Sequence, residues 1–138
     1  MSIVQTQTTS FKKELYQAIH DLSTDTIKIA LYTGNADLNE DTTVYSATNE
    51  VSGTGYTAGG ETMTGVAISS SGYVAYANWA NVSWTAALTA RCALIYNASK
   101  GNKSVAVLDF GSDKTSTTTF TITMPANTST TALIRSSN

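Results

Sequence analysis

Asn49-Glu50-Val51-Ser52-Gly53-Thr54-Gly55-Tyr56-Thr57-Ala58-Gly59-Gly60-Glu61-Thr62-Met63-Thr64-Gly65 is the stretch on which the reading of this chain turns. Gly53, Gly55, Gly59, Gly60 and Gly65 surround a single aromatic, Tyr56. Glycines this dense mean repeated positive φ angles or backbone passing where no Cβ fits. The segment is therefore a shaped loop or a bulged strand. It divides a front end that carries a helix from a long remainder rich in strands.

Upstream, Ser10 to Asp21 has the period of an amphipathic helix. Phe11, Leu15, Ala18, Ile19 and Leu22 line one face, and Ser10 is a good N-cap. That face is too apolar for water and must cover part of a sheet. The polar residues 1–9 read as a flexible arm, leaving 10–138 as a single domain. From Thr26 the period changes to two, with Ile27, Ile29 and Leu31 on one side of a strand that Gly34-Asn35 stops. Val44–Thr48 and Glu50–Tyr56 read as two strands meeting at Asn49.

Downstream, Glu61–Ser69 and Gly72–Asn78 form a hairpin pattern, and Val82-Ser83-Trp84 is a short strand. Arg91–Tyr96 and Ser104–Phe110 are continuous apolar runs, the signature of central strands covered on both faces. Thr117–Met124 alternates Phe120, Ile122 and Met124 with threonines until Pro125, and Thr131–Arg135 is a last strand. Many short strands with turn signals every 8–12 residues mean an all-β fold of antiparallel sheets. The expected architecture is an antiparallel β-sandwich, a jelly roll, with one short N-terminal amphipathic helix.

Composition narrows the function classes. Only 13% of the 138 residues are charged, and 40 serines and threonines supply a neutral polar surface instead. A net charge of −2 and no basic cluster argue against nucleic-acid binding. The N-terminus lacks the basic and apolar regions of a secretory signal, and no run reaches the ~20 apolar residues of a membrane helix. Synthesis in cytoplasm and no membrane partner are the expectation. Cys92, the one cysteine, sits in an apolar run and reads as a buried, inert thiol.

Motifs for chemistry are weak. Gly53-x-Gly55-x-x-Ala58 matches a dinucleotide fingerprint in letters, but no helix pattern follows to meet a phosphate. Asp37-x-Asn39-x-Asp41 opens like a calcium loop, yet Thr42 stands where the turn glycine belongs and the closing glutamate is missing. His20 is the only histidine; it reads as a half-exposed helix residue with no triad partners in sight. No catalytic residue, cofactor or metal is expected. The better candidates are aromatics beside Gly, Ser or Asn. Tyr45, Tyr56, Trp79 and Trp84 are taken as partner-interface anchors, with a core role as the alternative for each.

Three segments carry a resemblance: Ser10–Leu15 leading to Asp25–Thr33, Tyr45–Gly60, and Arg91–Tyr96 followed by Val105–Gly111. In these the chain resembles a family of small tailed-bacteriophage virion proteins, similar in spacing over about residues 10–124. The resemblance implies a non-enzymatic particle protein. A capsid cement (decoration) protein on the outside of the shell is the leading expectation, with the major capsid protein and a second copy of itself as partners. A tail or head-fibre module that contacts host-surface glycans is the alternative.

Overall fold

The computed structural model describes residues 2–137, and among them the fold is mostly β with one short α-helix. Met1 and Asn138, which the expected arm and domain included, lie outside the described residues. In chain order the elements are β1 (Thr6–Gln7), α1 (Thr9–Tyr16), β2 (Ile27–Tyr32), β3 (Glu61–Thr62), β4 (Ala67–Ser71) and β5 (Val74–Asn78). There follow β6 (Val82–Trp84), β7 (Thr89–Asn97), β8 (Lys103–Thr115), β9 (Phe120–Ile122) and β10 (Ile134–Ser136). They form a five-stranded sheet in the order β1-β8-β7-β2-β3, a three-stranded sheet β10-β5-β4, and the pair β6-β9. Every strand pairing is antiparallel.

β2, β7 and β8 form the centre. Ile27, Ile29 and Leu31 of β2 and Ala93 and Ile95 of β7 face one core, with Ala77, Val82, Trp84, Phe120, Ile122 and Ile134 from the smaller sheets. Ala30, Tyr32, Cys92, Leu94, Tyr96 and Val107 face the other way into a second core, closed by Ala36 and Leu38 with Ile3 and Tyr45. The expectation of central strands covered on both faces therefore holds. Each fully buried Leu or Ile contributes about 1.5–3 kcal/mol, so both faces matter to stability.

The cover of the second face is irregular chain. Residues 33–51 were expected to contain a strand at Val44–Thr48 and the start of another at Glu50–Tyr56. They form neither, and their backbone pairs with the sheet only through the single bridges Tyr32–Glu50 and Val44–Lys103. Asn49 sits at φ +63, and the turns Glu50 N–H to Ala47 O and Tyr56 N–H to Gly53 O break the pleat on either side. Residues 2–7, expected as a free arm, lie along the protein's own edge. Leu38 N–H donates to Ser2 O, Val4 N–H donates to Leu38 O, and Thr6–Gln7 pair with β8.

The helix is shorter than its apolar periodicity suggests, and it starts earlier. Thr8 caps it, its Oγ1 accepting from Phe11 N–H. It stops at Tyr16 because Ala18 adopts φ +57. Ala18 N–H then donates to Leu15 O and Ile19 N–H to Glu14 O, the paired bonds of a Schellman closure. Ile19 and Leu22 therefore lie beyond the helix, and the turn sends His20 into the interior.

The glycine stretch crosses β2 at close range. At Gly60, φ is +79 and a Cβ would stand 1.8 Å from Ile29 O, inside the sheet's backbone. Gly72, at the β4–β5 turn, also has positive φ but open space around it. Gly60→Ala is expected to cost about 3 kcal/mol or more, since backbone must shift, whereas Gly72→Ala costs about 1 kcal/mol for its dihedral alone. Urea unfolding of the two variants checks the ranking; equal losses would show that β2 and the loop are not in contact.

Candidate functional site

Glu50 is the most connected acidic side chain of the glycine stretch. Its Oε1 accepts from Tyr45 Oη–H at 2.6 Å; its Oε2 accepts from Tyr56 Oη–H at 2.5 Å and from Gly59 N–H at 2.8 Å. Tyr56 Oη in turn accepts from Leu31 N–H at 2.9 Å, tying the cluster to β2. Tyr96 Oη–H donates to Gly59 O at 2.6 Å and Tyr32 Oη–H to Ser46 O at 2.6 Å, while the Tyr45 and Tyr96 rings stack at 4.7 Å. The result is a clasp that fastens residues 45–60 over the sheet.

The clasp controls its phenols. Burial, reinforced by the Glu50 carboxylate, pushes Tyr32, Tyr45 and Tyr56 well above the ordinary tyrosine pKa, and Tyr96 up to about 12. Phenols held neutral are donors, and here each donates within the protein. Three donors occupy three of the carboxylate's roughly four lone-pair sites, so Glu50 is held mainly by the loop it fastens.

A second polar cluster surrounds His20, which is buried rather than half-exposed. Its Nε2 lies 2.8 Å from Glu14 Oε1 and its Nδ1 lies 3.0 Å from Asn97 Nδ2. Asn97 Oδ1 already accepts from Ser99 N–H, so its amide N–H donates to Nδ1, which places the imidazole proton on Nε2, toward Glu14. Asn97 Nδ2 also donates to Asp25 Oδ2 at 2.8 Å, and Lys100 Nζ donates to Asp25 Oδ1 at 3.1 Å. Burial alone would raise the Asp25 pKa, but donation from Asn97, from the Asp21 N–H and from Lys100 outweighs it and the net direction is down. Both imidazole nitrogens are committed, and among the described residues no hydroxyl or thiol hydrogen-bonds to the ring.

The other sequence candidates are dispersed. Trp79 and Trp84 are buried at 6% and 2% exposure, too little surface to anchor a partner. Trp84 meets Tyr56 and Phe120, and its indole N–H finds no acceptor among the described residues, so shape rather than hydrogen bonding fixes it. Tyr45 and Tyr56 are half-buried and bound to Glu50. Asp37, Asn39 and Asp41 are knitted into a turn, Asn39 Nδ2 donating to Asp37 Oδ1 and Asp41 N–H donating to Asn39 Oδ1. No group of three His, Cys, Asp or Glu side chains suited to a metal occurs among the described residues. Gly53 to Gly60 forms turns with no helix behind them. Cys92 is buried, and burial lifts its thiol to about 11.

What remains open to solvent is surface for contact. The fully exposed aromatics are Tyr16, at the helix end, and Tyr73, at the hairpin tip. Neither was chosen from sequence as an anchor. A groove of about 750 Å³ runs beside the far end of β8, with Leu108, Phe110, Phe120, Ile122, Met124 and Leu133 among its walls. No helix among the described residues is long and apolar enough to cross a membrane. Comparison with protein-family models, curated proteins and solved structures finds no match.

Two pH tests follow. Because the four phenols titrate higher folded than unfolded, their contribution is complete below about pH 10 and declines as pH rises beyond it. Glu50→Gln should cost about 1–3 kcal/mol at neutral pH. It should also flatten that alkaline decline, as followed by phenolate absorbance alongside circular dichroism. Asp25 has the opposite sign: its contribution is present above about pH 4 and disappears as pH falls through its lower folded value. Asp25→Asn should remove part of the acid dependence, and a variant with the wild-type acid profile would show the cluster to be loose in solution.

Proposed function

We propose that this chain is a non-enzymatic structural protein of a tailed-phage particle, a capsid cement protein that sits on the outside of the shell and stabilises it. Its partners in this reading are the major capsid protein and another copy of itself. The observation that carries it is the way the three resembling segments come together. Ser10–Leu15 and Asp25–Thr33 supply most of α1 and all of β2, Tyr45–Gly60 is the clasped loop, and Arg91–Tyr96 with Val105–Gly111 covers most of β7 and the middle of β8. They form one contiguous unit, which supports reading the similarity in spacing as one piece of architecture rather than as scattered letters.

The finer fold belongs to the same proposal. The five-stranded sheet and the smaller sheets that face it are the two layers of a β-sandwich. Pairings between distant strands, β1 with β8, β5 with β10 and β6 with β9, are what a jelly roll's crossing connections produce.

The surface suits weak, repeated contact. Its acids and bases are few, and several are already engaged: Glu50 in the clasp, Asp25 with Lys100, and Arg91 with Asp109. Hydroxyls on exposed strands provide neutral hydrogen-bonding contact that salt screens little. Many copies on one shell multiply modest interfaces. The fibre alternative draws support from Tyr73, 92% exposed at a hairpin tip, where a ring can stack on a sugar face.

Immunogold labelling of intact virions with an antibody to this chain separates the two. The cement reading expects label spread over the heads, and shells lacking the protein should melt at lower temperature. Label confined to tails or fibres would overturn cement in favour of host-surface contact. Particles with no label would remove the virion reading altogether.

A further inference from the structure

The hairpin β4–β5 leaves one strand edge unused. β4 ends the three-stranded sheet, with β5 on one side and no strand on the other among the described residues, and all five of its residues are exposed. In the five-stranded sheet, β1 and β3 have two residues each, and the longer part of β8 that β1 leaves uncovered carries Asp109, Asp113 and Lys114. Exposed edges are commonly blunted by charge, proline or a bulge. Ala67-Ile68-Ser69-Ser70-Ser71 has none of these, and no charged residue lies anywhere between Glu61 and Arg91.

The hairpin fixes which backbone groups face outward. Ser71 pairs with Val74 across the two-residue turn Gly72-Tyr73, and Gly72 has φ +59 while Tyr73 has no positive φ, the pattern of a type II′ turn. The residues flanking such a turn are a hydrogen-bonded pair, so Ser71, Ser69 and Ala67 spend their N–H and C=O groups on β5. Ile68 and Ser70 aim theirs at the empty side. An antiparallel partner strand must present the same alternation, and a second β4 does so when Ser69 lies opposite Ser69. Ile68 then meets Ser70 of the other copy twice, giving four backbone hydrogen bonds over the full length of the strand.

We infer that two copies of this chain pair through β4, antiparallel about a two-fold axis at Ser69, joining their three-stranded sheets into one of six strands. Charge favours a second copy over a charged partner: an edge without acids or bases meets no like-charge repulsion from itself and offers nothing to steer a charged strand. The side chains agree. Ile68, 54% exposed, shares its face of the hairpin with Ala77 and Ile134, which already belong to the core, and in the pair the two Ile68 side chains become diagonal neighbours over that floor. This locates the self-association proposed above and stands apart from the particle reading, because it concerns the isolated protein.

Purified protein alone tests it. Sedimentation should give twice the 14.5 kDa chain mass. Ser70→Pro removes an outward N–H, spares the bonds to β5, and should weaken self-association about tenfold or more with an unchanged circular dichroism spectrum. Ser69→Cys places two thiols across a non-hydrogen-bonded pair, at a Cα separation of about 4.5 Å that a disulfide spans. It should cross-link under mild oxidation. Ser71→Cys, whose thiols would be about 14 Å apart, should not. Cys92 is buried and will not confuse the result. A monomer at every soluble concentration, or cross-linking as fast at position 71 as at 69, overturns the inference. So does a monomer that loses shell binding on Ser70→Pro, which would assign the edge to a capsid strand.

Discussion

Burial of β7 on both faces is the constraint on which the rest of this structure depends. Leu94, Cys92 and Tyr96 point one way and Ala93 and Ile95 the other, all essentially removed from water. One layer of covering strands can satisfy only one side. The second side is closed by chain with no ladder of its own, residues 33–51 and the first few residues. Most of this irregular chain is open to water, and only its inner polar groups, close to the apolar face, must be satisfied locally. Glu50 meets much of that demand: one carboxylate takes two phenols and a backbone N–H, and those phenols reach back to β2 and the loop.

This division explains what could be read from the letters. Strands of regular alternation were legible, because period two and a turn residue are local signals. β2, β5 and β6 stand close to where their patterns put them, and the continuous apolar runs marked β7 and β8. Glu61–Ser69, read as one arm of the hairpin, is divided between β3 in the large sheet and β4, with Gly65 at positive φ between them. The loop was not legible. Val44–Thr48 has the composition of a strand, and what prevents one is Asn49 at positive φ together with hydroxyl bonds such as Thr48 N–H to Ser46 Oγ. The end of α1 was hidden for a similar reason: Ala18, not glycine, takes the left-handed position. The Glu50 clasp had a faint signal, an acid between two tyrosines and beside glycines, but its partner Leu31 is distant in sequence.

The polar groups that look most like chemistry are consumed by the fold. Both nitrogens of His20, both oxygens of Glu50 and both oxygens of Asp25 have partners within the protein. The Asp109 carboxyl is held below the usual range by the Gly111 N–H and, after a burial contribution of opposite sign, by Arg91. A reaction needs a group left unfinished until substrate arrives, poised in charge and geometry. Each of these groups instead has its partners within the protein.

The two sides of the molecule then have different characters. The five-stranded sheet guards its edges: its edge strands are two residues long, Glu61 puts a charge on β3, and the part of β8 beyond β1 carries Asp109, Asp113 and Lys114. The β4–β5 hairpin is uncharged, and its outer strand β4 is polar through serine alone and open along its edge. Natural sheets pay in aggregation for an edge like this unless something occupies it. Serine-rich strands lower that risk by offering little apolar area per contact, so pairing there gains mainly backbone hydrogen bonds and needs correct register to gain them. Such an edge is selective without being sticky, a useful property where many identical copies must find one another or a repeating surface.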